Sequence, residues 1–148
     1  MLDAQTQALL QDIVRRQSRS LLQYVSEAFP WTTPEEQGAL EVIRGLIVEE
    51  QALAASVAKF LQRAQVGVPY TGSYPKAFTT INYVSLDYLL PLLIKQERAS
   101  LEVLEREAEQ IGNAEARALV DQIVAVQRRH VTTLEGLAPK AKPTAAVH

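Results

Sequence analysis

A glutamate interrupts an apolar stripe in the second half of the chain, and this feature most limits how the chain can fold. Over residues 86–111 apolar side chains recur at the three-and-four spacing of a helix with one buried face, at Leu86, Leu90, Leu93, Leu101, Leu104, Ala108 and Ile111. Continuing that spacing through its gap reaches Glu97. A carboxylate on a buried seam is costly unless it is paired, protonated or bound to a metal. Other segments must therefore supply Glu97 with a partner.

The apolar spacing extends to the whole chain and predicts four helices. Their expected bounds are residues 3–29, 34–66, 83–111 and 114–137. Thr33 and Glu36 have the spacing of a capping box, which marks the start of the second helix. Gly112 ends the third helix, and Asn113 caps the fourth across a very short turn. Residues 138–148 are rich in proline, lysine and alanine, which predicts a disordered tail.

A long irregular segment separates the second helix from the third. Residues 67–82, here called the crossover, contain two glycines and two prolines. Fully extended, about 16 residues reach roughly 50 Å, whereas a helix of about 30 residues is about 45 Å long. The crossover can therefore run the length of a bundle, which would make the second and third helices parallel. Two short-turn hairpins joined in this way predict an all-α four-helix bundle with ferritin-like connectivity.

Polar residues interrupt the apolar stripe of every predicted helix at a similar height. Gln17 and Glu50 lie at similar distances from the first turn, and 33 residues separate them. Glu97 and His130 are related in the same way across the second turn, again 33 residues apart. Gln127 lies one turn before His130. These five residues, here called the polar layer, are the candidate functional site.

Composition limits the classes of partner and of chemistry. The chain has 148 residues, a net charge of -2 and scattered lysine and arginine, which argues against nucleic-acid binding. No apolar run approaches the length of a membrane span, and the first residues are unlike a secretory signal, so we expect a cytoplasmic protein without a membrane partner. The absence of cysteine excludes disulfides, thiolate metal sites and cysteine nucleophiles. Trp31, Tyr70 and Phe78 are candidates for packing under the crossover or for a homodimer contact.

Topology and spacing together resemble those of the ferritin-like di-iron carboxylate superfamily, with the rubrerythrin and bacterioferritin branch the nearest. The resemblance covers residues 3–137. That family uses a glutamate on the first and third helices and Glu-x-x-His on the second and fourth. Spacing of three residues points both ligands of one helix inward.

This chain departs from the family pattern at three places. Gln17 stands where the first helix would carry a glutamate, Leu53 stands where the second would carry a histidine, and Gln127 stands where the fourth would carry a glutamate. Glu49, adjacent to Glu50, should point away from the seam. The resemblance with these losses implies at most a reduced metal site and no ferroxidase activity.

The ligand set implied by the resemblance is small. Glu50, Glu97 and His130 would bind one iron or manganese ion, or no metal at all, with Gln17 and Gln127 as weak neutral oxygen donors. One alternative is a non-catalytic interaction or scaffold bundle, in which the same residues form a hydrogen-bonded network that fixes helix register. A second alternative is an active di-iron oxidase or peroxidase.

Overall fold

The computed structural model describes residues 2–138, and in this part the chain is all-α, as predicted. Its five α-helices are α1 Ala4–Ser18, α2 Leu21–Val25, α3 Gln37–Arg63, α4 Leu86–Glu109 and α5 Ala114–Leu137. Short 3-10 turns cover Pro34–Glu36 and Lys76–Ile81. Within residues 2–138 there is no strand, and a single isolated bridge joins Trp31 to Ser85. The predicted disordered tail lies, from residue 139 onward, outside the described residues.

The first predicted helix, over residues 3–29, is interrupted. α1 ends at Ser18, and Arg19 and Ser20 leave the helical conformation before α2 begins. Ser20 has an extended backbone (φ -70°, ψ 163°), and its hydroxyl accepts a hydrogen bond from Gln23 N at 3.1 Å. Serine at this position competes with helical hydrogen bonding and is a favoured N-cap, which is why the helix restarts here.

The other helices begin close to their predicted first residues. Thr33 N donates to Glu36 Oε1 at 2.8 Å, so the predicted capping box forms, although its first turn is 3-10. Ser85 accepts from Tyr88 N at 3.2 Å and starts α4. Asn113 accepts from Ala116 N at 2.9 Å and starts α5 at its predicted residue.

Ion pairs between helices define their relative directions. Arg128 pairs with Glu105, whereas Arg98 nearer the start of α4 pairs with Glu135 nearer the end of α5, so these two helices are antiparallel.

Ion pairs between α3 and α5 show that these two helices are also antiparallel. Arg129 contacts Glu49, and Arg63 at the end of α3 contacts Glu115 at the start of α5. Since α5 is antiparallel to both α3 and α4, those two helices are parallel to each other.

The interior consists of two apolar clusters with polar residues between them. The first cluster includes Leu10, Ile13, Leu53, Val57, Leu104, Val120 and Ile123. The second includes Leu21, Leu22, Ile43, Ile47, Leu90, Leu93 and Leu134. On α3, α4 and α5, and along α1 and α2 together, the residues of the polar layer lie in the sequence between residues of the first cluster and residues of the second. The four segments therefore bring their polar residues to one level.

Two aromatic residues of the crossover pack against Tyr24 on α2. Tyr74 and Phe78 lie 5.2 and 5.7 Å, centroid to centroid, from the ring of Tyr24. Phe78 thus packs on the inner side of the crossover, which is one of the two roles predicted for it. Trp31 and Tyr70 are instead 61% and 89% exposed. No helix within residues 2–138 is long and apolar enough to cross a membrane.

Candidate functional site: a buried polar layer

All five residues of the polar layer are buried. Gln17, Glu50, Glu97 and His130 are each 2% exposed and Gln127 is 3% exposed. The apolar spacing alone therefore located buried polar side chains on α1, α3, α4 and α5, but it missed Thr6 and Gln23, which are 2% and 3% exposed. Their partners, however, were only partly visible in the sequence.

Glu50 receives two hydrogen bonds from the segment that interrupts the first predicted helix. Ser20 Oγ donates to Glu50 Oε1 at 2.7 Å, and Gln23 Nε2 donates to the same oxygen at 2.9 Å. Gln23 is itself held by Gln51, whose Nε2 donates to Gln23 Oε1 at 2.9 Å. Gln23 was not a predicted site residue. It reaches Glu50 from α2, which starts anew after Ser20. The apolar spacing predicts one continuous helix here, so it does not indicate this contact.

Burial controls the charge of Glu50. Removal from water, followed by the negative charge of Glu97, raises the pKa of Glu50 to about 8, against the opposing effect of the hydrogen bonds from Ser20 and Gln23. Near neutral pH the Glu50 carboxyl is therefore mostly protonated. In that state it can donate a hydrogen bond as well as accept one.

Glu49 has a role that differs from the expectation. It was expected to point away from the seam, and its side chain is 36% exposed, yet its Oε1 lies 2.8 Å from His130 Nε2. Its Oε2 lies 2.6 Å from an Arg129 guanidinium nitrogen. The hydrogen bonds from Arg129 and His130 lower the pKa of Glu49 to about 2. This contact joins α3 to α5.

His130 lies between two carboxylates. Its Nδ1 is 3.8 Å from Glu97 Oε1, and its Nε2 is held by Glu49. Burial by itself would lower the pKa of His130, but Glu97 and Glu49 together raise it above the ordinary value. The two carboxylates therefore stabilise the protonated imidazole against the effect of burial. Gln127 completes this side by donating from Nε2 to the backbone carbonyl of Glu97 at 3.3 Å.

Three buried acceptor oxygens of the polar layer have no hydrogen-bond partner. They are Gln17 Oε1, Glu50 Oε2 and Glu97 Oε1. An unsatisfied buried polar group costs about 1–3 kcal/mol. Because all three are oxygens, the missing partner is a donor or a cation. The proton on Glu50 can supply one such donor.

The residues present do not fit a di-iron centre. Within residues 2–138 no group of three or more histidine, cysteine, aspartate or glutamate side chains is placed to hold a metal ion. Leu53, at the family's histidine position, lies in the first apolar cluster. His130 faces a carboxylate at each ring nitrogen, whereas a metal ligand needs a neutral nitrogen with a free lone pair.

Comparison with known proteins identifies no relative of this chain. No protein-family model, curated protein or solved structure matches this chain.

Proposed function

We propose that this chain is a ferritin-like four-helix bundle protein whose central layer derives from a di-iron site and has become a non-catalytic polar layer. The observation that carries the proposal is the pairing of His130 with Glu49, which is in turn paired with Arg129. A histidine in this position would be a metal ligand in the family. Here Glu49 occupies Nε2 at 2.8 Å and Glu97 lies 3.8 Å from Nδ1, so a carboxylate rather than a metal faces each ring nitrogen.

In this proposal the polar layer fixes how the helices align. Buried polar groups that have one set of partners penalise a helix shifted by a turn, because the shift leaves the groups unpaired. The hydrogen bonds of Glu50 join α3 to Ser20 and Gln23, and the contacts of His130 join α5 to α3 and α4. These contacts thus link α2, α3, α4 and α5 at one level. The protein then serves as a binding or scaffold bundle rather than as an oxidase.

The test is oxidation of Fe(II). A ferroxidase holds two irons about 3.5–4 Å apart and needs bridging carboxylates with a terminal ligand for each metal. We expect that anaerobic loading of the protein with Fe(II), followed by air, produces neither oxo-bridged ferric absorbance nor oxygen uptake above the buffer rate. Rapid oxygen uptake at two irons per chain would contradict the proposal.

A second candidate function is the binding of one divalent ion, iron or manganese. The three unpaired oxygens of Gln17, Glu50 and Glu97 favour it, because hard cations prefer oxygen donors. Elemental analysis of protein purified without chelator tests this candidate. Stoichiometric metal that is lost in Glu97→Gln would support it, whereas metal-free protein with unchanged melting in Mn(II) would exclude it.

The proposal includes a homodimer in the cytoplasm. Trp31, Tyr83 and Tyr88 are 61%, 93% and 59% exposed, and Trp31 and Val84 are joined by a backbone hydrogen bond. Exposed aromatic side chains on neighbouring segments are typical of protein contacts. Sedimentation equilibrium of the wild type beside Trp31→Ser tests the dimer. A monomer at all accessible concentrations would remove this part of the proposal.

A further inference from the structure

A cavity opens beside the polar layer and is distinct from the helix contacts described above. Its volume is about 450 Å³, within the range of about 300–1,000 Å³ that is usual for small-molecule pockets. One wall comes from the end of α1, another from α4, and the crossover covers it. Arg19 and Ser20, where the first predicted helix is interrupted, both line it.

The lining is largely apolar. Leu21, Pro75, Phe78, Ala99 and Val103 contribute to it. Apolar side chains that face an open cavity gain free energy when an apolar ligand replaces water. The body of a ligand for this cavity is therefore apolar.

The α4 wall carries a carboxylate with an unpaired oxygen. Glu97 lines the cavity, is 2% exposed, and its Oε1 has no hydrogen-bond partner. Ser100 beside it is already engaged, since its Oγ accepts from Gln17 Nε2 at 3.4 Å. Oε1 lies 3.8 Å from His130 Nδ1, outside hydrogen-bond distance, so a donor on a ligand that reaches the Glu97 carboxylate supplies a hydrogen bond that this side chain lacks. This wall therefore favours a ligand that carries a hydrogen-bond donor.

The α1 wall is cationic. Arg15 and Arg16 both pair with Asp12, and Arg16 also pairs with Glu107.

Arg19, on the same wall, differs from them. Within residues 2–138 no carboxylate lies within ion-pair distance of its guanidinium, which donates to the backbone carbonyls of Gly72 at 2.7 Å and Ser18 at 2.9 Å and lies 4.9 Å from the centroid of the Tyr74 ring. Its positive charge is thus not neutralised by an acidic side chain. A guanidinium in this state favours a carboxylate on the ligand.

We propose that the cavity binds a small organic acid that has an apolar body and a hydrogen-bond donor at the end opposite its carboxylate. The donor, a hydroxyl or an amine, meets Glu97 on the α4 wall, and the carboxylate lies against Arg19 on the α1 wall. Hydroxyaryl acids have this chemistry. The binding requires no metal, and it adds a ligand contact to Glu97, which is also a member of the polar layer.

Isothermal titration of the full chain with three matched probes tests both ends of the ligand. The probes are para-hydroxyphenylacetate, phenylacetate without the donor, and para-hydroxyphenylacetamide without the charge. Chelator in every buffer separates this test from metal binding. We expect para-hydroxyphenylacetate to bind about tenfold more tightly than either of the other probes, since each polar contact contributes about that factor.

Protein variants assign each preference to its wall. In Glu97→Leu the advantage of the hydroxyl over the unsubstituted ring should disappear. In Arg19→Gln the advantage of the acid over the amide should disappear while the amide binds as before. Circular dichroism verifies that each variant is folded.

A third variant tests the location even if the other two fail to fold. Ala99→Trp fills the lining and should weaken binding of all three probes at least tenfold, whereas Ala118→Trp, on the exposed face of α5, should bind them as the wild type does. Undiminished binding by Ala99→Trp would overturn the proposal. So would equal affinity of the wild type for the three probes, or no saturable binding below about 10 mM.

Discussion

The buried carboxyl of Glu50 makes the stability of this protein depend on pH. Its pKa is 4.5 in an unfolded chain and rises to about 8 in the folded protein. Between these values the folded state binds a proton that the unfolded state has lost, so the free energy of unfolding falls as pH rises. His130 acts in the same direction. Its raised pKa contributes stability that is present below its unfolded value of 6.5 and is lost as pH rises through the folded value.

Glu50→Gln should therefore stabilise the protein, and more so at higher pH. Glutamine is the neutral analogue of the protonated carboxyl and keeps the acceptor for Ser20 and Gln23. We expect little change at about pH 5 and a gain of at least about 1 kcal/mol at about pH 8, because one unit of pKa corresponds to about 1.4 kcal/mol. Urea unfolding of both proteins across this range measures the effect. A constant difference at all pH values would show that Glu50 is not buried as a neutral acid.

Glu49 should control the charge of His130. Removing this carboxylate in Glu49→Gln should lower the pKa of the imidazole, whereas Arg129→Gln should raise it, because the remaining carboxylate then lacks its own counter-charge. Proton NMR titration measures both shifts. The chain has only one other histidine, so His148→Gln assigns the signals. Shifts of the same sign in the two variants would contradict the contact.

At the scale of the helix, the sequence predicts well what is locally encoded. Caps at Thr33 and Asn113 and the interrupted apolar stripes are local patterns, so the start of α5 and the five buried polar residues followed from them. The break at Arg19 and Ser20 did not follow, because Leu21 and Leu22 continue the apolar spacing across it. The contact between Glu49 and His130 did not follow either, since it depends on a side-chain conformation and on a partner 81 residues away.

Ser20 holds both the start of α2 and one oxygen of Glu50, so Ser20→Ala should be more harmful than a typical cap removal. Loss of the cap costs about 1 kcal/mol, and loss of the buried hydrogen bond adds about the same. We expect a total of about 2 kcal/mol in urea unfolding. The control is Ser26→Ala, which removes a hydroxyl that donates only to the backbone carbonyl of Gln23. Equal, small losses in both variants would show that Ser20 does not support the site.

At the scale of the whole molecule, the polar layer divides one interior into two apolar clusters. Either cluster alone could pack in more than one way, since apolar contacts are not directional. The pairings of Glu50 and His130 are directional and connect residues on α2, α3, α4 and α5. The layer therefore costs free energy through its unpaired oxygens while it restricts the ways in which the helices can align.

Replacing both buried glutamates by methionine should separate stability from specificity. Glu50→Met with Glu97→Met removes two buried carboxyls at similar volume, so we expect an equal or higher melting temperature. Without directional partners the helices should sample several alignments, which broadens amide NMR signals and increases dye binding to exposed apolar surface. The control, Glu41→Met with Glu102→Met, makes the same change at exposed positions of α3 and α4 and should leave the spectrum unchanged. A double variant at positions 50 and 97 with sharp, dispersed signals and a sharp melting transition would show that the apolar clusters alone set the alignment, and the polar layer would then need another reason to be retained.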